Sequence, residues 1–336
     1  MIRAAIIGMG HWGHNLVQHI QGKSELIQFV AGATRTPSKA QEFAKEFNLR
    51  LFDSFEAALD SPDIDAVVLA TPHSVHAEQI IAAAKKGKHI FTEKPLGLDT
   101  NSAQEAANIC INSGVILSVG YNWRFQPALQ EIHRLVNTGV LGKILHIEGN
   151  FCGPSAYRFG ENHWRQNNSE GPAGGMTGRG VHVLDAMIYL SGHIEQVSAQ
   201  SFRLAQSFGN DDTTSMLMRF KNGSTAYLGT VIATAETWRM QILCEHGWAE
   251  VGGIEHLNTW DLKVCLIDRT NVTNKQKPSI YQYPQSSTEL AELNNFAKAI
   301  VDKMILVQPD GDAVHNVAVL DAILNSAKYN TVVKVL

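Results

Sequence analysis

Ala4-Ala5-Ile6-Ile7-Gly8-Met9-Gly10-His11-Trp12-Gly13 decides how this chain begins to fold. A short apolar strand runs straight into a helix through the spacing G-x-G-x-x-G. Gly8 permits the tight turn, Gly10 lets the backbone approach a pyrophosphate, and Gly13 lets the new helix pack on the sheet. The unpaired N–H groups and positive dipole end of that helix then suit an anion. The motif means little in isolation; following a strand and opening a helix, it means much more. The alternative is a glycine-rich turn that holds nothing.

Working outward, the first 120 residues alternate strand and helix. Strands are expected at Ile2–Ile7, Leu26–Ala33, Ala66–Ala70, Lys88–Thr92 and Val115–Gly120. Helices are expected at His14–Gln21, Pro37–Phe47, Val75–Lys86 and Thr100–Asn112, with a short piece at Phe55–Leu59. The apolar runs suit strands buried on both faces, and the alternation implies a parallel, doubly wound sheet. In such sheets ligands lie beyond the carboxyl ends of the strands. The segments Gly8–Gly13, Thr34-Arg35, Thr71–His76, Glu93-Lys94-Pro95 and Tyr121–Phe125 all fall at those ends.

After Tyr121 the rhythm changes, which places a Rossmann domain at 1–121 and a second domain at 122–336. A helix over Ala128–Val136 precedes strand-like runs at Ile144–Phe151, Val197–Phe202, Ser215–Phe220, Thr225–Thr230, Met240–Cys244 and Val264–Ile267. Asn222-Gly223 is a hairpin signal. The second domain therefore reads as α+β with a large, mostly antiparallel open sheet. The Gly- and aromatic-rich stretch Cys152–Gly180 is too long for a mere connector and is expected to contribute to a site. Arg269–Ser287 reads as an exposed excursion, and helices over Thr288–Val301 and Asp312–Tyr329 follow.

Composition narrows the class. The chain has 336 residues, 44% hydrophobic and 18% charged, enough to build two cores and too apolar for disorder. The net charge of −4, with no basic run, argues against nucleic acid and membrane as partners. No apolar stretch approaches the roughly 20 residues of a membrane helix, and no signal-peptide pattern precedes Ile2. Cys110, Cys152, Cys244 and Cys265 are widely spaced, as expected for free thiols in a cytoplasmic protein. A small-molecule substrate is the expected partner, in a homodimer or homotetramer that covers the face of the second sheet.

The ordered set of motifs resembles the glucose–fructose oxidoreductase, inositol dehydrogenase and rhizopine catabolism (Gfo/Idh/MocA) family. The matching stretches are A-A-I-I-G-M-G-H-W-G from Ala4, A-T-P-H-S-V-H from Ala70, T-E-K-P-L-G from Thr92 and G-Y-N-W-R-F-Q-P from Gly120. Further on come His163-Trp164-Arg165, G-G-M-T-G-R-G-V-H-V-L-D from Gly174, and E-L-N-N-F-A-K-A-I from Glu292. The resemblance implies an NAD(P)-dependent oxidoreductase acting on CH–OH groups, with a sugar, polyol or sugar derivative as substrate.

It also implies roles. Lys94 would relay the proton of a substrate hydroxyl, the expected Lys94–Pro95 cis bond aiming its ammonium into the cleft. His182 would assist in orienting or protonating the reacting oxygen, and Asp185, three residues on and able to face the crevice from the same helix start, completes the expected catalytic set with Lys94. Met9, His11, Trp12, Thr71, Pro72, His73, His76, Glu93, Asn122, Arg124, Trp164 and Arg165 join the three glycines as cofactor contacts. An ion pair between the domains is the other reading of each arginine, Arg124 and Arg165. Tyr121, Tyr157 and Arg165, with Lys94 and His182, are the expected substrate contacts. One departure stands out. Sugar- and cyclitol-oxidising relatives usually carry Asp four residues before this histidine, where this chain has Gly178.

The end of the second strand bears on cofactor choice. An acidic residue there normally binds the adenosine ribose 2′-OH. Here Thr34-Arg35-Thr36 follows with no carboxylate, and Arg35 can pair with a 2′-phosphate. NADP is therefore expected ahead of NAD. The histidine pairs His11/His14 and His73/His76 lack acidic or cysteine partners in sequence, so no metal is expected. Two rivals to a dehydrogenase are a dinucleotide-binding sensor without turnover, and a glycoside-cleaving enzyme that uses the nicotinamide transiently.

Overall fold

The computed structural model describes residues 1–161, 163–273 and 275–335. The chain forms two compact units: Met1–Asn122 with Ser287–Val317, and Trp123–Ser286 with Ala318–Leu336.

The first unit holds a six-stranded parallel sheet among the described residues. Its strands are β1 (Ile2–Ile7), β2 (Ile27–Ala33), β3 (Arg50–Phe52), β4 (Ala66–Leu69), β5 (His89–Thr92) and β6 (Leu117–Val119), in the order β3-β2-β1-β4-β5-β6. The order reverses between β1 and β4, where Ala4–Ile7 pair with Ala66–Leu69. That reversal is the switch point at which such sheets bind ligands. The helices are α1 (His11–Ile20), α2 (Gln41–Glu46), α3 (Phe55–Asp60), α4 (His76–Lys85) and α5 (Thr100–Asn112).

One more helix belongs to this unit, although a single boundary at residue 121 would assign it elsewhere. In α9 (Thr288–Asp302), Leu293, Phe296 and Ala297 are fully buried in the same cluster as Ile6, Leu16, Phe29 and Phe91. Burying a leucine or phenylalanine side chain is worth about 1.5–3 kcal/mol each, which explains why this remote segment returns. Ser287 caps the helix by accepting a hydrogen bond from the Leu290 N–H.

The second unit is built on α6 (Pro127–Asn137), β7 (Ile144–Cys152), α7 (Ser155–Arg158), α8 (Val181–Ser191) and the strands β8 (Ile194–Phe202), β9 (Thr213–Phe220), β10 (Thr225–Val231), β11 (Thr237–Cys244), β12 (Gly247–Gly253), β13 (Leu262–Leu266) and β14 (Ser279–Tyr281). The end of α10 (Asp312–Tyr329) and β15 (Val333–Lys334) complete it. Among the described residues the sheet has nine strands, ordered β14-β13-β12-β11-β7-β10-β9-β8-β15. Only β10 and β7 run parallel; every other pair is antiparallel. α8 packs closely on one face, because a Cβ at Gly149 would meet Met187 and Val183 at 2.6 and 2.7 Å. On the other face a register row runs Leu217, Tyr227, Glu148, Gln241, Glu250 and Lys263.

Several expected elements shift. α1 starts at His11, inside the glycine motif, and the stretch 37–47 is a 3₁₀ turn followed by the short α2. β3 is an edge strand of three residues, too short to show a period. β12 escaped notice because glycines flank its alternation of Ala249 and Val251 inward. The stretch Cys152–Gly180 carries α7, a 3₁₀ turn at Trp164–Gln166 and a π-helical turn at Met176–Gly180. The excursion 269–287 is largely exposed and contains the short strand β14.

Candidate active site

In the first unit the glycines do three separate things. Gly8 adopts φ +91°, and a Cβ there would lie 2.5 Å from the Ala70 carbonyl oxygen. A Cβ at Gly13 would lie 2.1 Å from the Gly8 carbonyl oxygen, so the helix reaches the strand only with glycine. Around the Cβ position of Gly10, in contrast, there is open space. α1 has no side-chain cap and no acidic residue in its first turn, so its first N–H groups have no side-chain acceptor. An open cradle with free donors fits a dinucleotide pyrophosphate.

The expected contacts around this loop differ in their surroundings. Met9 is buried in the core, over the space that Gly32 leaves, while His11 is exposed. Thr34 is half-buried and Arg35 exposed, and no carboxylate follows β2 before Glu42. Thr71 donates its hydroxyl to Gln79 Oε1 at 2.7 Å. Pro72 leads into the 3₁₀ turn His73–Val75. His76 is fully buried, with Nδ1 2.8 Å from the Pro95 carbonyl oxygen and Nε2 3.1 Å from that of Thr71. It thus braces the ends of β4 and β5, with the His73 ring edge-on at 5.9 Å.

Glu93 and Lys94 follow β5 directly, and the Lys94–Pro95 bond is cis. The indole N–H of Trp12 donates to Glu93 Oε1 at 2.5 Å, and the Lys94 backbone N–H approaches Oε2 at 3.3 Å. A Cβ at Gly120 would stand 2.9 Å from Glu93 Oε1, so this carboxyl group needs the glycine. Burial pushes the Glu93 carboxyl up to about 6, although the Lys94 ammonium and the Trp12 hydrogen bond pull it down. Glu292 on α9 is raised well above the usual carboxylate range, by burial first and by Glu93 and Glu289 second. Tyr121 and Asn122 are buried, and Asn122 Nδ2 donates to Thr288 Oγ1 at 3.3 Å.

In the second unit, Arg124 grips Asp185 through Nε at 2.8 Å and Nη2 at 2.7 Å. The ion pair therefore lies within one unit, between the 3₁₀ turn Asn122–Phe125 and α8. His182, one turn earlier on α8, is stacked on Trp123 with centroids 5.6 Å apart. Trp123 sits within contact of Phe151, Trp238, Trp260 and His256, at centroid distances of 4.8 to 6.2 Å. Arg165 lies over the Trp164 ring at 4.4 Å. Tyr157 is largely exposed, its hydroxyl 3.4 Å from the Ala233 carbonyl oxygen. Gly178 has open space around its Cβ position. No group of metal-binding side chains occurs among the described residues. No described helix is long and apolar enough to cross a membrane.

Sequence reasoning missed Trp123, Glu289 and Glu292. Trp123 and Glu292 lie inside quoted motifs, yet only the fold shows the tryptophan against His182 and the burial of the two glutamates.

A Rossmann unit with an open phosphate cradle and Glu-Lys at a neighbouring strand end defines an NAD(P)-binding protein of the oxidoreductase class. Residues 2–121 match the oxidoreductase family with an NAD-binding Rossmann fold, and residues 129–250 match the GFO/IDH/MocA C-terminal domain. The chain belongs to the GFO/IDH/MocA oxidoreductase family. The 2,7-anhydro-N-acetylneuraminate hydratase of Escherichia coli (strain K12) is 30% identical over 239 residues, 68% of this chain and 61% of that protein. The scyllo-inositol 2-dehydrogenase (NAD(+)) of Bacillus subtilis (strain 168) is 34% identical over 154 residues, 44% of each. The matched parts thus span under two thirds of these relatives' length. The structure of aldose-aldose oxidoreductase from Caulobacter crescentus, complexed with glycerol, shares the fold with a TM-score of 0.88 at 23% identity, covering 99% of both chains.

Proposed function

We propose that the chain is an NAD(P)-dependent oxidoreductase that moves a hydride between nicotinamide and the hydroxyl or carbonyl of a sugar, polyol or sugar derivative. One observation carries the reading: the cradle Gly8–Gly13 is tied through Trp12 to Glu93, the residue before Lys94. That hydrogen bond supports reading the cradle and Lys94 as parts of one site within the first unit. The named dehydrogenase and oxidoreductase relatives support the substrate class.

The bound nicotinamide supplies the hydride acceptor or donor. Lys94 takes the hydroxyl proton during oxidation and returns it during reduction. The first N–H groups of α1 hold the pyrophosphate, with Thr71, Pro72, His73 and His76 shaping the strand end beside it. His182 orients the reacting oxygen, its ring steadied by Trp123. Asp185 and Arg124 fix the start of α8. Trp164, Arg165, Tyr121 and Tyr157 complete the substrate contacts. Arg35, with Thr34 and Thr36, favours NADP over NAD.

A second reading has one specific support. The Escherichia coli relative is named a hydratase, and hydration involves no net oxidation or reduction. An enzyme of that kind would use its nicotinamide transiently. A screen of sugars, polyols and anhydrosugars against both cofactors separates the two. Net formation of reduced nicotinamide establishes the dehydrogenase; product formation without it establishes the transient mechanism, and neither outcome with any substrate class overturns both.

A further inference from the structure

We infer that Glu236 is a positioning residue for His182: its carboxylate grips Arg179 and so fixes the π-helical turn from which α8 starts. The inference rests on the reading of His182 as the residue that orients the reacting oxygen. A side chain in that role is only as well aimed as the helix end that carries it, and a misplacement of about 1 Å can cost roughly a hundredfold in rate.

The turn, Met176-Thr177-Gly178-Arg179-Gly180, is a weak helix start. Two of its five residues are glycines, each about 1 kcal/mol less favourable than alanine in a helix. Neither the turn nor α8 has a side-chain N-cap, so tertiary contacts must set its shape. Single π-helical turns of this kind occur frequently at functional sites. The turn lies against the end of β10, where a Cβ at Gly180 would meet Thr230 Cγ2 at 2.7 Å and one at Gly175 would meet Ile232 Cγ2 at 2.7 Å. Arg179 ties it to the next two strands of the sheet, β7 and β11. Its Nη1 donates to the Cys152 carbonyl oxygen at 3.2 Å and to Glu236 Oε1, and its Nη2 to Glu236 Oε2 at 3.3 Å. Cys152 ends β7, and Glu236 immediately precedes β11. The guanidinium also lies over the Phe151 ring, 4.9 Å from its centroid. Phe151 in turn is 6.3 Å from the His182 ring and 5.5 Å from Trp123, on which His182 is stacked.

The surrounding chain accommodates this pair. The Arg179 and Glu236 side chains are 15% and 24% exposed. A Cβ at Gly153 would stand 2.6 Å from Arg179 Nη1 and 2.7 Å from Glu236 Oε2, so the chain leaves β7 on a glycine that makes room for both. A second guanidinium, Arg158 on α7, approaches Glu236 Oε2 at 3.5 Å but is 59% exposed and contributes little. One carboxylate thus joins α7, the ends of two strands and the turn before α8. It acts through geometry alone.

A double-mutant cycle on the holoenzyme tests this, with kcat from nicotinamide absorbance and cofactor Kd measured for each variant. Glu236→Gln should lower kcat about tenfold to a hundredfold while cofactor Kd stays near native, since the nucleotide cradle lies in the first unit. Arg179→Met should do the same, and the two together should cost no more than the worse single change, because both remove one contact. Should Arg179→Met misfold and lose cofactor binding, Arg179→Lys, which keeps a cation without the planar fork, takes its place with the same expectation. The deciding readout is the His182→Ala background. There Glu236→Gln should have no further effect on kcat, because the imidazole it aims is already gone. An equal loss in both backgrounds, or native kcat in both single variants, would overturn the inference and leave His182 its role. Native kcat for His182→Ala, or no turnover by the native enzyme, would instead sink the underlying reading and the inference with it.

Discussion

Arg124 and Asp185 form a bidentate ion pair in which the carboxylate is 1% exposed and the guanidinium side chain 24% exposed. Two parallel N–H···O bonds hold α8 at Asp185, and His182 projects one turn earlier on the same helix. Structural support and chemistry are therefore divided between two residues three positions apart.

That division gives the first prediction. Asp185→Ala removes the buried carboxylate that holds the half-buried Arg124 guanidinium and should destabilise the protein by about 1–3 kcal/mol. His182→Ala, which removes a buried ring stacked on Trp123, should also lower the melting temperature, and should lower kcat/KM on the best substrate more than Asp185→Ala does. Thermal melts and steady-state kinetics on the two variants check both halves; native kinetics for His182→Ala would remove the imidazole from the mechanism.

Lys94→Ala should bind cofactor nearly as tightly as the native protein while turnover falls roughly 10²–10⁴-fold, the loss typical of an acid–base group. Lys94→Arg should not rescue it, because a guanidinium stays protonated at working pH. Cofactor titration beside kcat makes the comparison. Parallel losses in affinity and turnover would instead make Lys94 a binding residue.

Dissociation constants should favour NADPH over NADH. Arg35→Ala should weaken NADPH by roughly tenfold to a hundredfold, as for lost hydrogen bonds to a charged group, and leave NADH unchanged. Tighter binding of NADH by the native protein would overturn the assignment.

Glu93 gives a pH dependence of stability whose sign follows from its raised pKa. Between its ordinary value of 4.5 and about 6, the folded chain holds a proton that the unfolded chain has lost. Stability from this group is complete at and below the lower value and falls as pH rises to about 6. Glu292, raised in the same direction by its burial and its acidic neighbours, adds to the fall. The melting temperature should therefore decline between pH 4.5 and about 6, and Glu292→Gln should flatten the decline.

At position 178 a side chain has room, since nothing lies within 4 Å of a Cβ built there. The native protein should oxidise myo-inositol weakly or not at all, lacking an acceptor for one hydroxyl. Gly178→Asp should fold normally and gain inositol turnover, as a site acquires selectivity when it supplies a missing hydrogen-bond partner. Efficient inositol oxidation by the native chain would refute this.

Much of the frame was legible because parallel strands buried on both faces show as apolar runs, as Ala66–Leu69 does. The glycine positions were legible for a steric reason that the fold bears out at Gly8 and Gly13. What stayed hidden depends on distant neighbours. Nothing local distinguishes Glu292 from a solvated helix glutamate; its burial follows from where α9 packs. The pairing of Arg124 with Asp185 spans 61 positions and has no spacing rule behind it. β12 was hidden by its own glycines.

The return of α9 changes how this protein can be recombined with its relatives. Phe296 fills a slot against Phe91, with ring centroids 5.9 Å apart, so residues 1–122 alone would present that slot to water. A hybrid that exchanges coenzyme-binding units should therefore carry two cassettes, residues 1–122 and 287–317. One that carries only the leading cassette asks a foreign helix to fit the slot, and its loss of solubility would be a failure of packing rather than of chemistry.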